Sequence, residues 1–577
     1  MKHYDLIIRN GTVADGTGGE LFAADVAVCD GTIAFIGSCS GSGVEEIDAS
    51  DCLVTPGFVD LHTHYDGQMT WSSDLSPSSN HGVTTVVAVN CGVGFAPCHE
   101  GDREALIDLM SGVEDIPEVV MAEGIPWNWI TYPDFAKSLA ARRYDVDVAS
   151  LLPHAALRVF VMGARALARE AATETDIATM SQFAGEAIES GAIGFATSRM
   201  LQHRSAHGDS IPTARAAEPE LHGIAMAMAK AGGGVFQIAS DFSLYTDLEG
   251  EFEMFRRLVG QSGQPLFFSL NQKHHAPDDW KQLLALTDKA NRDGLRIRAQ
   301  VIGRPSGLLL GHELTKNPFS DLPGYRPLTP LPLADRVKAL RDPTVRARLL
   351  GETEQLPENE APHYRQFFRL GEFPDYEQAP ASSVFELARA AGVSAASLTY
   401  DLLLEDEGHA ILLDATQNYA DGSLEVPLAM MRNPNSILGL GDGGAHMGLI
   451  CDASWPTTML AFWTRDRTRG DRLPIPWVVK AMTRDNAHAY GLRDRGEIAV
   501  GLKADINVID YGRLQLRRPE VRYDLPARGR RIVQRADGYR ATIVTGIVTR
   551  RDGAATGALP GRFVHARQRR SVERATH

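Results

Sequence analysis

The chain has 577 residues, 44% hydrophobic and 23% charged, enough for one large domain plus a smaller one. Its 58 Lys and Arg against 73 Asp and Glu leave a formal charge of −15, which argues against nucleic acid as a main partner. No apolar run approaches the roughly 20 residues that span a bilayer. Asp5, Arg9 and Asn10 interrupt the stretch a secretory signal would keep apolar, so a cytoplasmic protein with no membrane partner is expected. The six cysteines show no zinc-knuckle spacing and read as thiols rather than disulfides.

In chain order, residues 4–53 read as short strands. Tyr4–Arg9 ends in Asn10-Gly11, and Ala24–Cys29 ends in Asp30-Gly31, a hairpin signal with Thr32–Gly37 returning. This β-rich start resembles half of a small sandwich. From Val54 the texture becomes strands alternating with helical stretches. The strands read are Phe58–His64, Thr84–Asn90, Arg158–Gly163, Gly191–Thr197, Gly234–Ala239, Leu266–Asn271, Arg296–Ile302 and Ser436–Gly441. Helices are expected around Thr179–Glu189, Pro219–Lys230 and Pro277–Lys289. Eight strands with helices between them imply a closed α/β barrel of the TIM-like (β/α)8 type, whose chemistry sits at the C-terminal strand ends.

More than a hundred residues separate Ile302 from Ser436. A structureless loop of that length is improbable in a compact domain. We read about 305–430 as an insertion over the barrel mouth, either a lid or a packing surface. After the last strand, helical segments at Trp455–Arg465 and Ile475–Tyr490 give way to short strands, including Ala504–Ile509 and Ala541–Thr549, and to a polar, basic tail at Gln568–His577. The expected organisation is a β-sandwich half at 1–55, a barrel at 56–490, and the other sandwich half with the tail at 491–577.

The densest chemistry is in Val54–His64, VTPGFVDLHTH. In an extended strand His62 and His64 point to the same face, which makes half of a divalent-metal site where a lone histidine would not. Cys91, in Asn90-Cys91-Gly92 at the second strand's end, would alone read as an inert buried thiol. Beside two imidazoles it becomes a thiolate ligand, and thiolate with imidazole suits zinc. Asp442, in GLGDGGAH, follows the last barrel strand, where a carboxylate could bind metal and take a proton from water; the alternative is a turn-capping Asp. His446 is a candidate substrate-binding group four residues on.

These residues carry a family resemblance. PGFVDLHTH, the strand-end Asp442 and the closing GEIAVGLKADINVID (Gly496–Asp510) resemble the amidohydrolase superfamily, and Asn90–Gly92 (NCG) is similar to its D-aminoacylase branch, the N-acyl-D-amino-acid deacylases. The resemblance implies a barrel with a β-sandwich from both chain ends and a lid before the last barrel strand. It implies that His62, His64, Cys91 and Asp442 hold metal, with Asp442 acting as base and then acid. The branch also has histidines at the ends of strands five and six. Here Ala239 and Ser240 stand at the first place, and Leu270, Asn271 or Gln272 at the second. His274 and His275 come a few residues later, and SRMLQHRSAHGD offers His203 and His207 as substitutes. One well-held zinc ion is therefore expected rather than two. Arg199, His203, Arg304 and His446 are the candidate contacts to a small-molecule substrate, the two arginines for an anionic group or, equally, for pairing with one of the chain's many acids.

The expected reaction is hydrolysis of an amide-type C–N bond. Alternatives are cyclic-amide opening, ester hydrolysis or deamination within the superfamily, and, from another class, a ligand-binding relative with a degraded metal site. A homo-oligomer is left open by the sequence.

Overall fold

A computed structural model describes residues 2–214, 216–242 and 247–565. The tail at Gln568–His577 lies outside the described residues.

The barrel strands are β1 (Phe58–Asp60), β2 (Val83–Ala88), β3 (Asp147–Ser150), β4 (Gly194–Ser198), β5 (Val235–Ala239), β6 (Leu266–Ser269), β7 (Ile297–Val301) and β8 (Ser436–Leu438). They pair in parallel as β1-β2-β3 and as β4-β5-β6-β7-β8. Two backbone seams close the ring. Ile193 N–H donates to Ser150 O at 3.0 Å between β3 and β4. Beyond β8 and β1, Asp442 N–H donates to His62 O at 3.0 Å and His64 N–H to Gly443 O at 2.8 Å. The second seam matters for chemistry, because it registers the last strand's acid against the first strand's histidines. Strands such as VTTVVA (β2) need no alternation, since both faces are covered and every residue is buried.

One strand was misplaced by the sequence. Arg158–Gly163 is not a strand: it lies at the end of a helix, His154–Met162, entered from Pro153. The third barrel strand is Asp147–Ser150, whose acidic start hid it. A short apolar run such as RVFVMG fits a buried helix as well as a strand, and here Ala155, Val159 and Met162 are buried on helical spacing. Asp147 sits at a strand start because Arg495 (2.6 Å) and Lys503 (3.2 Å) neutralise it there.

Both chain ends contribute to one nine-stranded sheet. It joins N-terminal strands from His3–Val13 to Leu53–Pro56 with the C-terminal strands Ile506–Ile509, Tyr539–Val544, Ile547–Arg551 and Ala554–Ala555. Its own core packs Leu6, Ile8, Val26, Val54, Ile506, Val508 and Ile543. The Asp30-Gly31 turn has both residues at positive φ (50° and 72°), as a two-residue hairpin requires, and Phe22–Cys29 pairs antiparallel with Thr32–Gly37. Between β7 and β8 the chain forms a separate unit. A three-stranded sheet (Ser306–Leu310, Leu412–Gln417, Phe367–Arg369) and four helices enclose a second core around Phe319, Tyr325, Leu349 and Tyr400.

Candidate metal centre at the barrel mouth

His62 and His64 are 2% and 1% exposed, with ring centroids 5.4 Å apart. A ligand atom from each, together with Cys91 Sγ, falls within 4.8 Å of the other two. Cys91 Sγ lies 3.5 Å from His62 Nε2. Asp442 Oδ1 stands 3.4 Å from His62 Nε2 and 3.6 Å from His64 Nε2. The four side chains expected to converge do so.

Local backbone explains how they get there. Asn90, fully buried, donates its side-chain amide to the carbonyls of Leu61, Thr63 and Val87, stapling the end of β1 to β2. Cys91 follows at φ 54° and its N–H donates to Gln237 Oε1 at 3.0 Å. Gly92 lies against the β4 backbone, where a Cβ would come within 2.5 Å of Thr197 Cα. Each letter of the NCG motif thus has a separate physical task. Val89 (φ 70°), Cys91, Leu440 (φ 62°), Asp442 (φ 48°) and His446 (φ 50°) are all left-handed non-glycine residues. Such conformations cost on the order of 1–3 kcal/mol each and persist where surrounding structure enforces them, commonly at functional sites.

The supporting residues are ones that sequence reasoning missed. His62 Nδ1 meets Gln300 Oε1 of β7 at 2.9 Å, and Gln300 Nε2 donates to Tyr490 OH at 3.1 Å. That acceptor holds the proton on Nδ1 and turns Nε2 toward Cys91 and Asp442. His64 Nδ1 faces Glu114 Oε1 at 3.3 Å. Glu114 ends α1 (Arg103–Glu114), whose buried positions are Leu106, Leu109, Met110, Val113 and Glu114. The available signal was a Glu on the apolar stripe of an amphipathic helix. From β5 the side chain that reaches Cys91 is Gln237.

The electrostatics fit a cation. Burial pushes the Cys91 thiol up to about 11, although His64 opposes it. Burial likewise raises Glu114 to about 8 and Asp66 to about 7, with His64 opposing in both cases. Burial lowers His62 to about 4 against the attraction of Asp442. Burial also disfavours protonation of His64, but Glu114, Asp442 and Cys91 outweigh it and hold the imidazole well above its ordinary value. For Asp442 the hydrogen bond from His64 and the nearby imidazoles outweigh burial and keep the carboxyl below its usual range. Two imidazoles, a thiol and a carboxylate in one buried pocket are a zinc donor set, and a divalent cation there favours the thiolate that burial alone disfavours.

The other candidates divide. His446 is brought to the site: its ring centroid is 6.4 Å from His64 and its Nε2 is 3.5 Å from Glu114 Oε2. Asp442 and His446 side chains are 22% and 20% exposed, against 1–2% for His62 and His64, so they form the open rim. His203 also belongs here: held by Ser198 Oγ at 2.9 Å, it is pushed down to about 3 by burial and by the fields of His446, His64 and His62 against that of Asp442. The arginines are each paired with a carboxylate. Arg199 is paired with Glu251 at 2.7 Å, and Arg304, 1% exposed, with Asp452 at 3.2 Å while stacked 3.8 Å over Tyr376. Cations that deep need carboxylates, so both guanidiniums are already spent. His207 is an exposed partner of Asp108 at 2.6 Å, and His274 Nε2 meets Ala415 O at 2.9 Å in the insertion. Lys273, just beyond β6, lies 3.0 Å from the buried Asp241 just beyond β5.

A model of the Amidohydrolase family matches residues 45–550. The D-aminoacylase of Alcaligenes xylosoxydans xylosoxydans is 32% identical over 231 residues, a stretch covering 40% of this chain and 43% of that enzyme. The match thus spans well under half of that relative's length. Among solved structures, a D-aminoacylase studied for its binuclear metal centre superposes with a TM-score of 0.65 at 23% identity, covering 97% of this chain and all of that one. An N-acyl-D-glutamate deacylase from Bordetella bronchiseptica, complexed with zinc and a phosphonate mimic of the tetrahedral intermediate, gives a TM-score of 0.63 at 22% identity, covering 98% of this chain and all of that one. At these identities the superpositions speak for the fold.

Proposed function

This chain belongs to the amidohydrolase family, and from that premise we propose that it is a zinc-dependent hydrolase of amide-type C–N bonds, an N-acyl-D-amino-acid deacylase with one well-held ion. The observation that carries the reading is the meeting of His62, His64, Cys91 and Asp442 at the C-terminal rim of the barrel. The D-aminoacylase relative and the zinc-bound N-acyl-D-glutamate deacylase support the substrate class and the metal.

His62, His64, Cys91 and Asp442 are the residues that would hold the ion. When bound, a divalent cation supplies Lewis-acid chemistry, making water acidic near neutral pH and polarising a carbonyl. Asp442, ionised and partly open, takes a proton from the attacking water and hands it to the leaving nitrogen. The water oxygen bonds to the acyl carbon as the C–N bond breaks, so the products are a carboxylate and a free amine. His446 and His203, facing the donors from the rim, bind the substrate's polar groups and stabilise the developing oxyanion. The insertion between β7 and β8 shapes the acyl and side-chain pocket. The free cysteines support action in the cytoplasm.

The test is a zinc assay of the purified protein followed by turnover measurements on N-acyl-D- and N-acyl-L-amino acids, cyclic imides and esters. We expect one zinc per chain and release of free D-amino acid. A zinc-loaded protein that cleaves none of these would favour the ligand-binding alternative.

A further inference from the structure

The last position of the α1 apolar stripe is a carboxylate that is 1% exposed. A buried carboxylate is costly without partners, and Glu114 has one for each oxygen. Oε1 lies 3.3 Å from His64 Nδ1, an ion-pair contact outside hydrogen-bond geometry, and Oε2 lies 3.5 Å from His446 Nε2. Asp442 occupies the other edge of His64, 3.6 Å from Nε2. The two carboxylates therefore bracket a single imidazole, one on the ligand-facing nitrogen and one behind it.

The backbone around Glu114 serves the same loop. The carbonyl of Glu114 accepts from His446 N–H. The helix then stops at Asp115 (φ 50°), whose carbonyl accepts from Met447 N–H at 3.2 Å and whose Oδ2 accepts from Gly448 N–H at 2.9 Å. Thr315 Oγ1, from the insertion, donates to the same carboxylate at 3.1 Å. One helix end thus fastens the segment that follows Asp442 and the base of the insertion.

We propose that Glu114 is a positioning residue of the metal centre, fixing His64 with Nε2 toward the ion and holding the His446 ring at the substrate rim. The inference rests on the metal reading under Proposed function. Glu114 is not a ligand, because it faces Nδ1 of His64 while Asp442 stands on the Nε2 side. A carboxylate behind a ligating imidazole sets its tautomer and orientation, and losing such a support typically costs about 10–100-fold in metal affinity.

The test measures zinc affinity of the full-length protein by chelator competition for wild type, Glu114→Asp, Glu114→Ala and Glu114→Gln. Asp is one carbon too short to reach both rings and Ala reaches neither, so each is expected to lose about 10–100-fold. Gln keeps an oxygen for His64 Nδ1–H and should recover most of that loss. If Ala does not fold, the Asp and Gln pair still decides. A purely structural role predicts lower melting points of the metal-free variants with zinc affinity unchanged in the folded protein. Affinities within twofold of wild type across the set would overturn the proposal. A wild-type chain that binds no zinc would instead remove the metal reading itself, and that arm is read separately.

Discussion

Replacing Asp442 with Asn keeps the shape of the side chain and removes its charge and its basicity. The carboxylate oxygen is 3.4 Å and 3.6 Å from two imidazole nitrogens, near enough that an amide there still packs between them. What the amide cannot do is accept a proton from water or return it to nitrogen. Positioned general acid–base catalysis contributes about 10²–10⁴ in rate, which is about 3–5 kcal/mol of barrier at 1.36 kcal/mol per tenfold. The assay is kcat for an N-acyl-D-amino acid at saturating zinc, so that any weakened metal binding is compensated. Circular dichroism and a melting curve check that the fold is retained. The amide has no titratable proton in the assay range, so raising the pH should not rescue the variant. A kcat within tenfold of wild type would refute the assignment of Asp442 as the proton carrier.

Cys91→Ser should lower zinc content after dialysis by more than the loss of a supporting residue does, as read by elemental analysis; full retention of zinc would remove the thiolate from the ligand set. Gln300→Leu takes away the acceptor at His62 Nδ1 and should weaken zinc binding about tenfold or more, with little change in the metal-free melting point. Gly92→Ala places a Cβ 2.5 Å from the Thr197 backbone at φ 73°, and should destabilise by at least about 2 kcal/mol in urea unfolding. His81 is fully buried between Thr457 (2.9 Å) and the Gln534 carbonyl (3.0 Å), and burial pushes it down to about 3. The unfolded chain therefore takes up the proton first. The stability that His81 contributes is complete above its ordinary value of about 6.5 and declines by about 1.4 kcal/mol per pH unit below it. His81→Gln should flatten the fall in urea midpoint between pH 6.5 and 5; an unchanged slope would assign that fall to other groups.

Some of the site was legible because its residues sit in local patterns. His-x-His after an apolar run, a Cys between Asn and Gly, and an Asp after the last β-rich segment each mark a strand end, and barrel topology converts strand ends into a common rim. The β-rich character of both chain ends likewise foretold one shared sheet. Arg158–Gly163 failed because a six-residue apolar run has no period that distinguishes strand from buried helix. For Arg199 and Arg304, charge in a sequence says nothing about which carboxylate will meet it, here Glu251 and Asp452.

Gln237, Gln300 and Glu114 show where the linear text stops. Each is an ordinary polar residue in an apolar strand or helix stripe, and its task arises only when a partner more than 45 residues away packs against it. Residue type and spacing, set along the chain, determined the donor atoms on offer and the strands that present them. Which nitrogen of each imidazole faces Asp442, and which partner stands behind it, was decided by tertiary packing. The hydrogen bond on His62 Nδ1 comes from β7 and the charge facing His64 Nδ1 comes from α1, neither of them from neighbours in sequence.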